Sequence, residues 1–161
     1  MKIMRHVLFV VAAALVAPVF AQGKAPEKPF DTMQVLREKL KGDKKLLVAA
    51  NMGLTEAEAK AFWPIYEDFQ KGLHKINDRL ATAVVAYSKE YNAKSLTDDK
   101  ARKLLDEALA VEEAETKLKR SFVPRLAQVL PGIKVARYMQ IENKIRAIVK
   151  YEIAAEVPLV R

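Results

Sequence analysis

Apolar residues recur along this chain at alternating three- and four-residue steps, most clearly in three long stretches. Phe62, Tyr66, Phe69, Leu73, Ile76, Leu80, Ala83 and Tyr87 form the first stripe. Ala101, Leu104, Ala108, Val111, Leu118, Phe122, Leu126 and Val129 form the second, which is interrupted at Glu115. Val135, Tyr138, Ile141, Ile145, Ile148 and Glu152 define the third, widened by Met139, Val149 and Ile153. A shorter series, Met33, Leu36 and Leu40 with Leu47 resuming the face, precedes them. Such spacing puts the apolar side chains on one face of a helix. No stretch has the two-residue alternation and turn spacing of a β-domain.

The boundaries agree with this reading. Leu54-Thr55-Glu56-Ala57-Glu58 places a capping threonine three residues before a glutamate, the signature of a capping box. Gly53 suits the left-handed residue that closes the preceding helix. Leu96-Thr97-Asp98-Asp99 opens the next helix with Thr97 as cap and two aspartates on the positive end of the helix dipole. Gly42-Asp43 is a weak point in the first helix, and Leu130-Pro131-Gly132 separates the last two. Pro64 and Pro124 fall inside helices and predict kinks. The expected fold is all-α, with four helices over residues 31–155. Two long, kinked central helices lie antiparallel because their connection is short. At 1.5 Å per residue the long helices reach about 50 Å, which predicts an elongated body and a second chain, a homodimer, to cover its thin core.

The amino terminus has a different pattern. Lys2 and Arg5 precede an uninterrupted apolar run from Val7 to Ala17, Pro18 breaks it, and Val19-Phe20-Ala21 supplies small residues for cleavage. Residues 1–21 therefore read as a cleaved secretory signal peptide. The run falls well short of the ~20 residues that span a bilayer. Residues 22–30 are polar, with two prolines and a glycine, and are expected to form a flexible arm. Residues 31–161 are expected to form a single helical domain. The leader accounts for part of the 51% apolar content, and without it the charge falls from +8 to +6, with 26 basic and 20 acidic residues.

Export reshapes the candidate chemistry. There is no cysteine, which removes disulfides, thiolate metal sites and a cysteine nucleophile. No nucleotide, serine-hydrolase or zinc-protease motif is present, so no enzymatic activity and no cofactor are expected. Met33, Met52 and Met139 are too scattered for a copper site. His74 and Asp78 stand one turn apart, a spacing metal ligands use, but two ligands do not complete a site and a solvated pair is expected. Glu112, Glu113 and Glu115 cluster, and Glu113 with Lys117 and Glu115 with Lys119 have the favourable i,i+4 order. A solvated ion-pair face is the expectation there. Lys117, Lys119, Arg120 and Arg125 form a candidate basic patch, which in an exported protein faces an anionic envelope surface rather than nucleic acid. Phe62, Trp63, Tyr66 and Phe69 gather beside Pro64. Core packing is the expectation for the stripe members, and a client or interface surface is the alternative.

The two Leu-Thr starts lie 42 residues apart, each ahead of a long amphipathic helix. At Leu54, Thr55, Glu58 and at Leu96, Thr97 the sequence resembles the LTXXQ-motif family of small periplasmic proteins, the Spy/CpxP-like chaperones and stress-response modulators. The fifth motif position, glutamine in that family, is Glu58 in the first copy and Lys100 in the second. Glutamate at this position still completes a capping box, whereas lysine does not. The segments KKLLVAANMGLTEAEAKAFWPIYEDF and RYMQIENKIRAIVKYEIAAEVPLV are also similar to uncharacterised exported proteins of Gram-negative bacteria. The resemblance implies a cradle-shaped dimer of long bent helices that binds unfolded clients without ATP or reports envelope stress. The expected function is thus a periplasmic, non-enzymatic chaperone-like or stress-adaptor protein that binds unfolded or partner proteins of the cell envelope. An envelope-binding structural protein using its basic face is the alternative. A metal-binding protein, as in one branch of the family, is a weaker one.

Overall fold

A computed structural model describes residues 44–160, of which 87% are helical. There are four described helices: α1 (Lys44–Met52), α2 (Glu56–Ala93), α3 (Asp98–Ala127) and α4 (Gly132–Glu156). No strand occurs among the described residues. The expected signal peptide, the flexible arm and the first part of the first helix lie outside them.

The chain reverses where the sequence requires it. Gly53 adopts φ +56°, a left-handed conformation that glycine enters without a Cβ penalty, and the chain then starts α2. Lys94 makes the second reversal at φ +54°, its N–H donating to the carbonyls of Glu90 and Tyr91. α2 and α3 therefore form an antiparallel hairpin. Asp68 meets Arg125 near one end, and Arg79 meets Glu107 towards the other. At Gly72 the helices come so close that a methyl group there would stand 2.7 Å from Leu118 Cδ1. α4 returns along α3, and α1 packs against α4.

The third stripe buries as its period dictates except at Glu152, and the first buries at Phe62, Tyr66, Phe69 and Ile76 while Leu73, Leu80, Ala83 and Tyr87 are half-buried. Phe62, Tyr66, Phe69 and Ile76 from α2 join Val135, Tyr138, Ile141, Ile145 and Ile148 from α4 in the interior. Phe122, Leu126 and Leu130 close it from the α3 side, and Leu47, Val48 and Met52 from α1. The second stripe is only partly realised. Val111, Phe122 and Leu126 are buried, but Ala108 is exposed, contrary to its expected place on the packed face. The interior is therefore concentrated where all four helices meet and thins along the hairpin towards residues 93–98.

Pro64 and Pro124 both lie within continuous helices. Each removes an N–H and frees the carbonyl four residues back. Those carbonyls belong to Lys60 and Arg120, both exposed residues, as are the prolines. No described helix is long and apolar enough to cross a membrane.

Candidate functional site

Both helix-start motifs form, but they are not equivalent. The Thr55 hydroxyl accepts from the Glu58 N–H, and the Glu58 carboxylate accepts from the Thr55 N–H at 2.8 Å, completing the capping box. Lys134 of α4 adds a donor to Glu58 at 2.6 Å and another to the Gly53 carbonyl at 2.8 Å. The Lys134 ammonium and the Thr55 backbone hold the Glu58 carboxyl below its ordinary range. At the second start Thr97 accepts from the Lys100 N–H at 3.4 Å. Lys100 sits where a box would need an acceptor. Its ammonium instead turns back to Glu90 at 2.7 Å and to the Ser95 carbonyl at 3.2 Å, bracing the α2–α3 turn. Leu54 and Leu96 are half-buried, and Leu54 packs on the interior.

The aromatic group is core rather than surface. Phe62, Tyr66 and Phe69 are buried against Tyr138, with edge-on ring contacts from Phe62 at 5.1 Å and from Phe69 at 5.9 Å. This corrects their candidacy as a client surface, because the stripe that brings them together also points them inward. Trp63 is half-buried beside Phe62 and Tyr66, with the Lys45 ammonium 5.2 Å from its ring. It packs between α2 and α1.

The candidate basic patch does not survive as a uniform surface. Lys119 binds Glu115 at 2.6 Å. Arg125 binds Asp68 at 2.9 Å and lies over the Phe122 ring. Lys117 and Arg120 are exposed, but two of the four charges are neutralised by carboxylates of their own or a neighbouring helix. The reading of Glu112, Glu113 and Glu115 as a solvated face also needs correction. Glu115 is 4% exposed and faces α4, while Glu112 reaches Lys150 at 3.0 Å. His74 and Asp78 stand exposed, with Nε2 3.7 Å from Oδ2. No group of three or more metal-ligating side chains occurs among the described residues.

The least anticipated feature is polar and internal. Two buried carboxylates face the same cleft. Glu142, 2% exposed, accepts from Gln70 and from Lys44, each at 2.8 Å. Gln70 also donates to the Tyr138 hydroxyl at 3.3 Å. Burial, reinforced by Glu142, raises the Tyr138 phenol far above its ordinary range, so it stays protonated. Glu115 accepts from Lys119 through Oε1 and from Arg146 Nε through Oε2, both at 2.6 Å. Arg146 also donates to Asn77 at 2.7 Å. Burial acts to raise the Glu115 carboxyl, but Lys119 and Arg146 together outweigh it and hold the group ionised. The two clusters bind α1, α2, α3 and α4 to one another around a cleft of about 400 Å³.

A second feature lies on the outside of the hairpin. Leu105 is 58% exposed and Leu109 50% exposed, one turn apart on α3. Residues four apart share a helix face, so the two side chains form a small aliphatic step. Val85 on α2 is also largely exposed. The expected stripe used Leu104 and Ala108 and passed over Leu105 and Leu109, although a leucine pair at i,i+4 off the main stripe was visible in the sequence. Comparison of the chain with protein-family models, with curated proteins and with solved structures finds no match.

Proposed function

We propose that the protein is an exported, non-enzymatic chaperone-like or envelope-stress adaptor protein that binds unfolded or partner proteins through the outer face of its helical hairpin. The observation that carries this reading is the exposed pair Leu105 and Leu109, set on a helix whose neighbouring positions, Arg102, Lys103, Asp106, Glu112 and Glu113, are charged. Aliphatic side chains framed by charge offer a client apolar contact at a polar-rimmed surface. Each leucine is already half covered, so its further burial is worth about 1 kcal/mol. Contacts of that size suit weak, reversible holding of extended segments.

The resemblance at Leu54, Thr55 and Glu58 and the leader-like amino terminus support the same reading. The basic-face alternative loses ground, since Lys119 and Arg125 are paired. The test is aggregation of a chemically unfolded client in the presence of the purified protein at near-stoichiometric ratio. Suppression that falls in a Leu105→Ser/Leu109→Ser variant supports the proposal. Unchanged aggregation across several clients rejects it.

A further inference from the structure

The cleft between α2, α3 and α4 contains a donor that the fold itself does not use. Arg146 is 7% exposed, and its Nε and Nη1 are engaged by Glu115 and Asn77, yet Nη2 is buried without a hydrogen-bond partner among the described residues. A buried guanidinium nitrogen with no acceptor costs free energy comparable to a lost charged hydrogen bond. Such an orphan calls for an acceptor that is not part of the folded chain.

The lining states what kind of acceptor fits. Lys44, Lys119 and Arg146 bring three cations to the cleft against the two carboxylates Glu115 and Glu142. The site is therefore one positive charge in excess. The rest of its lining is mixed, with Leu73, Ile145 and Val149 beside Phe69 as the apolar part and Gln70, His74 and Asn77 as the polar part. A cavity of about 400 Å³ with an apolar part and convergent polar groups has the dimensions of a small-molecule site.

We propose that this cleft binds a small monocarboxylate with an aliphatic tail. The ligand carboxylate accepts from Nη2, while Nε and Nη1 keep Glu115 and Asn77, and its negative charge balances the excess. The tail lies against Leu73, Ile145 and Val149. The inference stands apart from client binding, because the cleft and the Leu105–Leu109 step are built from different residues.

The probe is octanoate, titrated into the full chain and followed by amide chemical shifts. The expected result is saturable binding, with shifts centred on Leu73, Asn77, Arg146 and Val149. Octanol, which keeps the tail and lacks the charge, and acetate, which keeps the charge and lacks the tail, should each bind at least tenfold more weakly. Val149→Trp adds bulk at a cleft-lining residue that takes no part in the ion pairs, and should lower octanoate affinity at least tenfold. Arg146→Lys should lower it as well, with retention of the helical circular-dichroism signal establishing that the variant folds. Equal binding of octanoate and octanol, octanoate affinity unchanged in a folded Val149→Trp variant, or no saturable shift overturns the proposal.

Discussion

Glu115 on α3 and Arg146 on α4 are joined by a 2.6 Å hydrogen bond from Nε to Oε2, and both side chains are more than nine-tenths buried. The pair joins α3 to α4, and through Arg146 and Asn77 it also reaches α2. Removing one member of a buried pair leaves the other charged and under-bonded.

Glu115→Gln keeps an acceptor but removes the charge, and should cost about 2 kcal/mol in denaturant unfolding at neutral pH. The pH dependence has a defined sign. The folded Glu115 carboxyl lies below its ordinary value of 4.5, so its contribution is complete above that value and is lost as pH falls through the folded value. Glu58 acts in the same direction. Wild-type stability should therefore decline on acidification below pH 4.5, and Glu115→Gln should show a shallower acid limb. Parallel wild-type and variant profiles would contradict this.

The two helix starts should respond unequally to loss of their caps. Thr55→Ala breaks a reciprocal box tied to α4 through Lys134 and should cost about 1 kcal/mol. Thr97→Ala removes a longer bond at a start that Lys100 already braces, and should cost less than half as much. Chemical denaturation of the two variants side by side gives the comparison.

Phe62 and Leu105 separate core from surface. Phe62→Ala empties a fully buried position in contact with Tyr138 and should cost about 3–5 kcal/mol. Leu105→Ser/Leu109→Ser changes two half-exposed side chains and should move the unfolding free energy by about 0.5 kcal/mol or less per site. The same calorimetric measurement reads both.

What the sequence revealed, and what it hid, follows from the kind of interaction at each position. Apolar period placed Phe62, Tyr66, Phe69, Val135, Tyr138, Ile141 and Ile145 correctly, because a repeating pattern needs no knowledge of its neighbours. Local chemistry likewise placed Thr55, Glu58, Thr97 and Gly53. The buried polar clusters were not legible in the same way. Glu115 appeared as a gap in a stripe, and its partner Arg146 lies 31 residues away on another helix. Glu142 follows Tyr138 by one turn and shares its face, but a glutamate there reads as surface until Lys44 and Gln70 are brought beside it by folding. In the basic group the pairing of Lys119 with Glu115 was legible as an i,i+4 pair, but that of Arg125 was not, since its partner Asp68 is 57 residues distant.

The most direct test of the proposed role is equilibrium binding of a permanently unfolded, fluorescently labelled client, measured by anisotropy alongside the same client in its native form. Saturable binding to the unfolded form alone, weakened at least fivefold by Leu105→Ser/Leu109→Ser with the variant still fully folded at the assay temperature by circular dichroism, is the predicted result. Equal affinity for native and unfolded client, or affinity untouched by the double substitution, would contradict the account.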